Sequence, residues 1–226
     1  GRIFLDPPWA ATFALCSVFS PMTLLFTPGK DPAQLLILAA LLAFWLLAWR
    51  RGHVVLAAAG GLVLVGACLV SLVYVWVAGI VAGATLLAVV RDRAELRRVL
   101  LRVFLPACAG VLAGCGLLAL VGVDVPAIAL AVAGAQRAVT RGPQAMPLAW
   151  QLLGVPLFLL LAGPAWWLAG ASAKVRVRSF LEFGGALLLL TILVLLVTVG
   201  FTNVETPRLW IPFVPLMLLG GILRFT

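Results

Sequence analysis

The segment "TNVETPRLWIPFVP", residues 202–215, sets Glu205, Thr206, Pro207, Arg208 and Trp210 at the mouth of an apolar run. Threonine is a good helix cap and proline a good first helical residue, so Thr206-Pro207 predicts a helix start. The free amide donors and positive dipole end of that helix suit an anion, phosphate included. Arg208 then falls in the first turn, where a cation opposes the dipole. An anion accepting from both Arg208 and the backbone amides would turn that unfavourable placement into a site. Two other roles fit the same residues. Glu205 and Arg208 could form a surface pair, which is worth little, or Arg208 could snorkel beside Trp210 at the headgroup boundary.

A second stretch has the same design. In "TPGKDPAQ", 27–34, Asp31 can cap a helix opened by Pro32, with Lys30 beside it. Capping and snorkelling explain this pair without a ligand; phosphate or substrate binding is the functional alternative. A third candidate is "DVPAIALAVAGAQRAVTRGPQAMPLAW", 124–150. Its centre is too polar to span, but Pro126 to Ala135 suits a short amphipathic helix in the membrane interface. Arg137 and Arg141 stand four apart, on one helical face if the helix reaches them, where they could meet phosphates or simply anchor to headgroups.

The elements that must position these residues follow from composition. The chain has 226 residues, 65% hydrophobic and only 10% charged, with a mean hydropathy of +1.23. Soluble domains run at roughly 45–50% apolar and about 25% charged, and a chain this size cannot enclose so much apolar surface. The expected solvent is the bilayer. Apolar runs predict about eight spans, near 9–26, 35–49, 54–70, 72–90, 99–121, 151–171, 181–200 and 209–223, in an all-α polytopic transmembrane bundle forming one domain. Residues 54–90 are unbroken and flanked by Arg50, Arg51, Arg91 and Arg93, so a hairpin near Ser71 is expected to return the chain to its starting side.

A net charge of +9 invites a nucleic-acid reading, but the basic residues stand in short clusters between apolar runs, as in "WRRGH" at 49–53 and "RDRAELRR" at 91–98. Such clusters anchor membrane helices on the cytoplasmic side, and no nucleic-acid partner is expected. "RDRAELRRVLLR" reads as a solvated connector facing anionic lipid, as does "SAKVRVRS" at 172–179. Glu182, just inside a span, has Arg178 four residues earlier as a partner. Placing "WRRGH" in the cytoplasm leaves only Lys30, Arg137, Arg141 and Arg208 on the other face. Both termini are then cytoplasmic, in an integral protein of a bacterial-type plasma membrane.

Cys16, Cys68, Cys108 and Cys115 lie in apolar stretches and read as packing residues. "GRIFLDPPW" has neither the n-region nor the cleavage site of a secretory signal; processing or truncation would explain a start at Gly1. Nucleotide loops, GxSxG, HExxH and metal-ligand clusters are absent, so no cofactor or metal is expected. No span carries an acid at its middle, which argues against ion-coupled transport. Any chemistry belongs at the extracytoplasmic surface, on a substrate delivered in the membrane.

"TPGKDPAQLLILAALLAFWLLAWRRGH" with the small-residue hairpin after it, "AWQLLGVPLFLLLAGP" and "VETPRLWIPFVPLMLL" together resemble the later transmembrane part of GT-C type membrane glycosyltransferases. The resemblance covers most of the chain through short motifs. It implies transfer of a sugar from a polyprenyl-phosphate donor on the extracytoplasmic face. Glu205 and Arg208 match a late acid-x-x-Arg-x-Trp pattern, with Arg208 on the donor phosphate and Trp210 at the headgroup boundary; Lys30 and Asp31 match a polar pair at an earlier helix mouth. Such enzymes carry a catalytic acid in the first extracytoplasmic loop. The N-terminal acid here, Asp6, falls on the cytoplasmic side of this topology, so no catalytic residue is assigned. The alternative is a non-enzymatic membrane protein, a lipid flippase or transporter component or an assembly partner, in which the same residues cap and anchor.

Overall fold

The computed structural model describes residues 7–18, 31–141, 178–198 and 213–224, and every regular element among them is helical. The helices are α1 (Pro7–Val18), α2 (Asp31–Arg51), α3 (Val54–Val70), α4 (Val73–Val89), α5 (Arg93–Leu120), α6 (Val125–Arg141), α7 (Arg178–Thr198) and α8 (Phe213–Arg224). The expected all-α class stands. The run expected at 151–171 lies outside the described residues. Two helical stretches, Ala33–Arg51 and Arg93–Leu120, are long and apolar enough to cross a membrane.

The breaks between helices have local causes. Gly52 ends α2 in the left-handed region, φ +66°, and its amide donates to Ala48 O at 2.7 Å, the single-bond glycine cap. The 54–90 stretch is two helices, as its length requires. Ser71 is extended (φ −160°, ψ 128°), and its Oγ accepts from the Val73 amide at 3.4 Å. α5 ends in a Schellman motif, with Val123 N donating to Leu118 O and Gly122 N to Ala119 O.

Residues 91–98 differ from the expected connector. The Asp92 side chain accepts from the amides of Ala94 and Glu95 at 2.9 and 3.1 Å, so α5 begins at Arg93, before the apolar run. The charged stretch keeps a solvated face, since Arg93, Arg97 and Arg98 are exposed. Further along, α5 opens into a π turn over Leu100–Phe104. Pro106 is the reason: it has no N–H for the carbonyl of Arg102, and its ring crowds that carbonyl. The Leu105 amide instead reaches Leu100 O, five residues back.

Small residues set the packing. α3 and α5 meet at Ala58, Gly61, Ala107 and Gly110, with backbones too close for side chains between them. α5 carries a GxxxG spacing here, Gly110 to Gly114, and helices in lipid associate through such close contacts. α7 and α8 cross in the same way at Gly184 and Gly220. The core runs through Leu38, Tyr74, Phe183, Leu187 and Phe213. The outside is apolar as well: Leu36 is 74% exposed, Leu112 72% and Leu189 64%.

Candidate functional site

Contacts between helix ends sort the polar residues into two groups. At one end the side chain of Arg102 lies against Gly52, 3.4 Å from where a Cβ would stand. Trp49 Nε1 donates to Glu95 Oε1 at 3.2 Å, and Arg98 donates to the same carboxylate and to Trp49 O. Arg91 reaches Glu182 at 3.8 Å. The partner expected for Glu182 was Arg178, whose side chain is outside those described. Trp49 also stands edge-on to Phe183, ring centres 5.3 Å apart. α2, α3, α4, α5 and α7 thus share an arginine-rich end.

The opposite end is closed by Tyr74, whose buried hydroxyl donates to Gln34 O at 2.7 Å and ties the start of α4 to the start of α2. α5 leads into α6 there, through a turn in which Asp124 Oδ1 accepts from the Ala127 amide at 2.9 Å. α8 opens toward the same end. Its Leu223 and Gly220 meet Gly184, near the arginine-rich start of α7, so Phe213 lies about 10 Å further along the bundle at 1.5 Å per residue.

Of the candidate residues, Asp31 is the first residue of α2, and Arg137 and Arg141 fall within α6. Asp31 and the start of α6 stand at the arginine-poor end, and the side chains of all three residues are outside those described. By helical register Arg137 and Arg141 share a face with Leu130 and stand opposite Ile128 and Val132. Lys30, Glu205, Thr206, Arg208 and Trp210 lie outside the described residues. Among the described residues no group of three His, Cys, Asp or Glu could hold a metal ion.

One feature that the sequence reading missed opens on the side of the bundle. Between α2, α3, α4 and α5 is an apolar cleft of about 290 Å³, lined among others by Leu41, Trp45, Leu64 and Phe104, with Gly79 and Cys108 exposed at its mouth. Trp45 and Phe104 meet edge to face at 5.0 Å. The indole Nε1 is engaged, donating to Thr85 Oγ1 at 2.9 Å. Pro106, four residues after Arg102, was the available signal for irregularity in this wall. Compared with known protein families, curated proteins and solved structures, the chain matches none.

Proposed function

We propose that the chain is an integral membrane protein of about eight spans with both termini in the cytoplasm, resembling the later part of a GT-C type glycosyltransferase. It binds a polyprenyl-phosphate-linked sugar at its extracytoplasmic end. The observation that supports this reading is the separation of the two ends. The arginine clusters gather at one end, which the positive-inside bias assigns to the cytoplasm, while α2, α6 and α8 begin toward the other end, where free helix amides suit a phosphate. The apolar outer faces fit lipid as their solvent, since water would leave them unsatisfied.

In this reading Arg208 and the amides after Thr206 hold the donor phosphate, Glu205 orients Arg208, and Trp210 sits at the headgroup level. Lys30, Asp31, Arg137 and Arg141 line the approach. The rival, a non-enzymatic membrane partner or flippase component, draws on the lack of paired carboxylates at this end among the described residues. Binding of a short-chain polyprenyl phosphate by the detergent-purified protein, beside Arg208→Ala, tests the proposal. A loss of about tenfold, or about 1.4 kcal/mol, with the fold retained is expected. Equal binding by both proteins, or binding by neither, removes the phosphate seat.

A further inference from the structure

We propose that the cleft between α2, α3, α4 and α5 seats one acyl chain of an anionic phospholipid from the arginine-side leaflet, with Arg102 and Arg51 holding its phosphate. This rests on the membrane-spanning reading above but not on the donor site.

Chemistry and depth select the occupant. A cleft of about 290 Å³ with Gly79 and Cys108 exposed at its mouth is open to the surrounding bilayer, and its apolar lining offers water no partners. Hydrocarbon from the surrounding bilayer is the filling such a wall favours. Measured from Gly52 at 1.5 Å per residue, Ala57 and Trp45 stand roughly 8–10 Å down the bundle, and Leu41 and Leu64 roughly 16–18 Å. A hydrocarbon core is about 30 Å thick, so the cleft runs from the arginine side to just past the middle. An acyl chain anchored at the arginines has the reach to fill it.

Charge selects the headgroup. Arg51 and Arg102 are exposed, and neither has an ion-pair or hydrogen-bond partner among the described residues. Arg102 lies over Gly52, between the ends of the two helices whose inner faces form the cleft wall. It sits in the π turn, two residues before Phe104, which lines that wall. The gap between guanidinium and cleft is one that the glycerol and ester groups of a phospholipid bridge.

Gly79 offers a direct test, because it lines the cleft and a Cβ placed there meets nothing within 4 Å. The protein is reconstituted in nanodiscs of equal phosphatidylglycerol and phosphatidylcholine, and retained lipid is counted by native mass spectrometry. The wild type is expected to keep one phosphatidylglycerol, preferred about thirtyfold over phosphatidylcholine, since each of the two arginines near an anionic surface contributes about fivefold. Arg102→Gln should lower the preference about fivefold, and Arg102→Gln combined with Arg51→Gln should remove it, while lipid is still retained. Gly79→Phe should remove the lipid itself; Gly79→Leu serves if the larger ring prevents folding. In the wild type, phosphatidylglycerol with a photoreactive acyl chain should label the stretch from Phe104 to Val111. A wild type released without lipid, labelling elsewhere only, or a folded Gly79 variant that keeps lipid as before overturns the seat. A protein that carbonate washing strips from membranes fails at the membrane reading instead, which separates the two failures.

Discussion

Gly61 faces the backbone of Ala107 so closely that a Cβ on Gly61 would stand 2.0 Å from the Ala107 carbonyl oxygen. The relation is reciprocal, because a Cβ on Gly110 would lie equally close to Ala58 O. Neither obstacle is a flexible side chain, so any substituent must push α3 and α5 apart. Gly61→Ala should therefore destabilise the protein by about 1–3 kcal/mol, the usual cost of overpacking. Gly66→Ala, where a Cβ meets nothing within 4 Å, is the matched control and should be neutral or slightly stabilising through helix propensity. Unfolding titrations of both variants in one detergent decide the matter; equal midpoints would remove the close contact as a source of stability.

Trp45 and Thr85 are joined across α2 and α4, and Thr85 Oγ1 in turn donates to Val81 O at 2.7 Å. Thr85→Val keeps the shape and leaves the indole N–H without its acceptor, at a cost of about 1 kcal/mol. In a cycle with Trp45→Phe the coupling should be about 0.6 kcal/mol, typical of hydrogen bonds between membrane helices. A coupling of zero would mean that the indole N–H finds another acceptor when Thr85 is lost.

The reach of the sequence differed between these features. The bounds 54–70 were legible because Gly52 and the flanking arginines punctuate an otherwise continuous apolar run, and in lipid such punctuation is the dominant signal. The Ser71 break followed from the length of the run and from the arginines at both of its ends. The start of α5 was not legible: charge at 91–98 suggested a connector, whereas the Asp92 cap makes the same charges the first turns of a helix. The cleft is a product of four helices meeting, and no single-helix pattern encodes it. The glycines of α3 and α5 were visible as small residues, but their pairing with Ala107 O and Ala58 O depends on tertiary register. The "ETPRLW" cluster lies outside the described residues, so its helix start remains a sequence expectation.

At the arginine-rich end two polar contacts of different worth stand side by side. Asp92→Ala removes the acceptor of two helix amides and should cost about 1 kcal/mol. Arg91→Gln breaks only a long pair to Glu182 in which the Arg91 side chain is 79% exposed, and it should cost no more than about 0.5 kcal/mol because solvent screens such pairs. Side-by-side unfolding midpoints give the order. If Arg91→Gln proves the costlier change, Arg91 has a partner at this end that the Glu182 contact does not account for.

α6 tests the membrane reading proposed above. Ile128 and Val132 stand on one side of its register, and Arg137 with Arg141 on the other. Leu130 on the arginine side is 75% exposed, so the bundle alone does not bury this helix. If α6 lies in the interface, an environment-sensitive fluorophore attached at position 128 reports an apolar surround and one at position 137 a polar surround. The labels are attached through cysteine in a background lacking the four natural ones. Quenchers confined to the aqueous phase and to the lipid chains should then act in opposite order on the two positions. The same order at both sites would place α6 wholly in water or wholly within protein contacts. It would also remove the surface against which Arg137 and Arg141 are proposed to meet a phosphate.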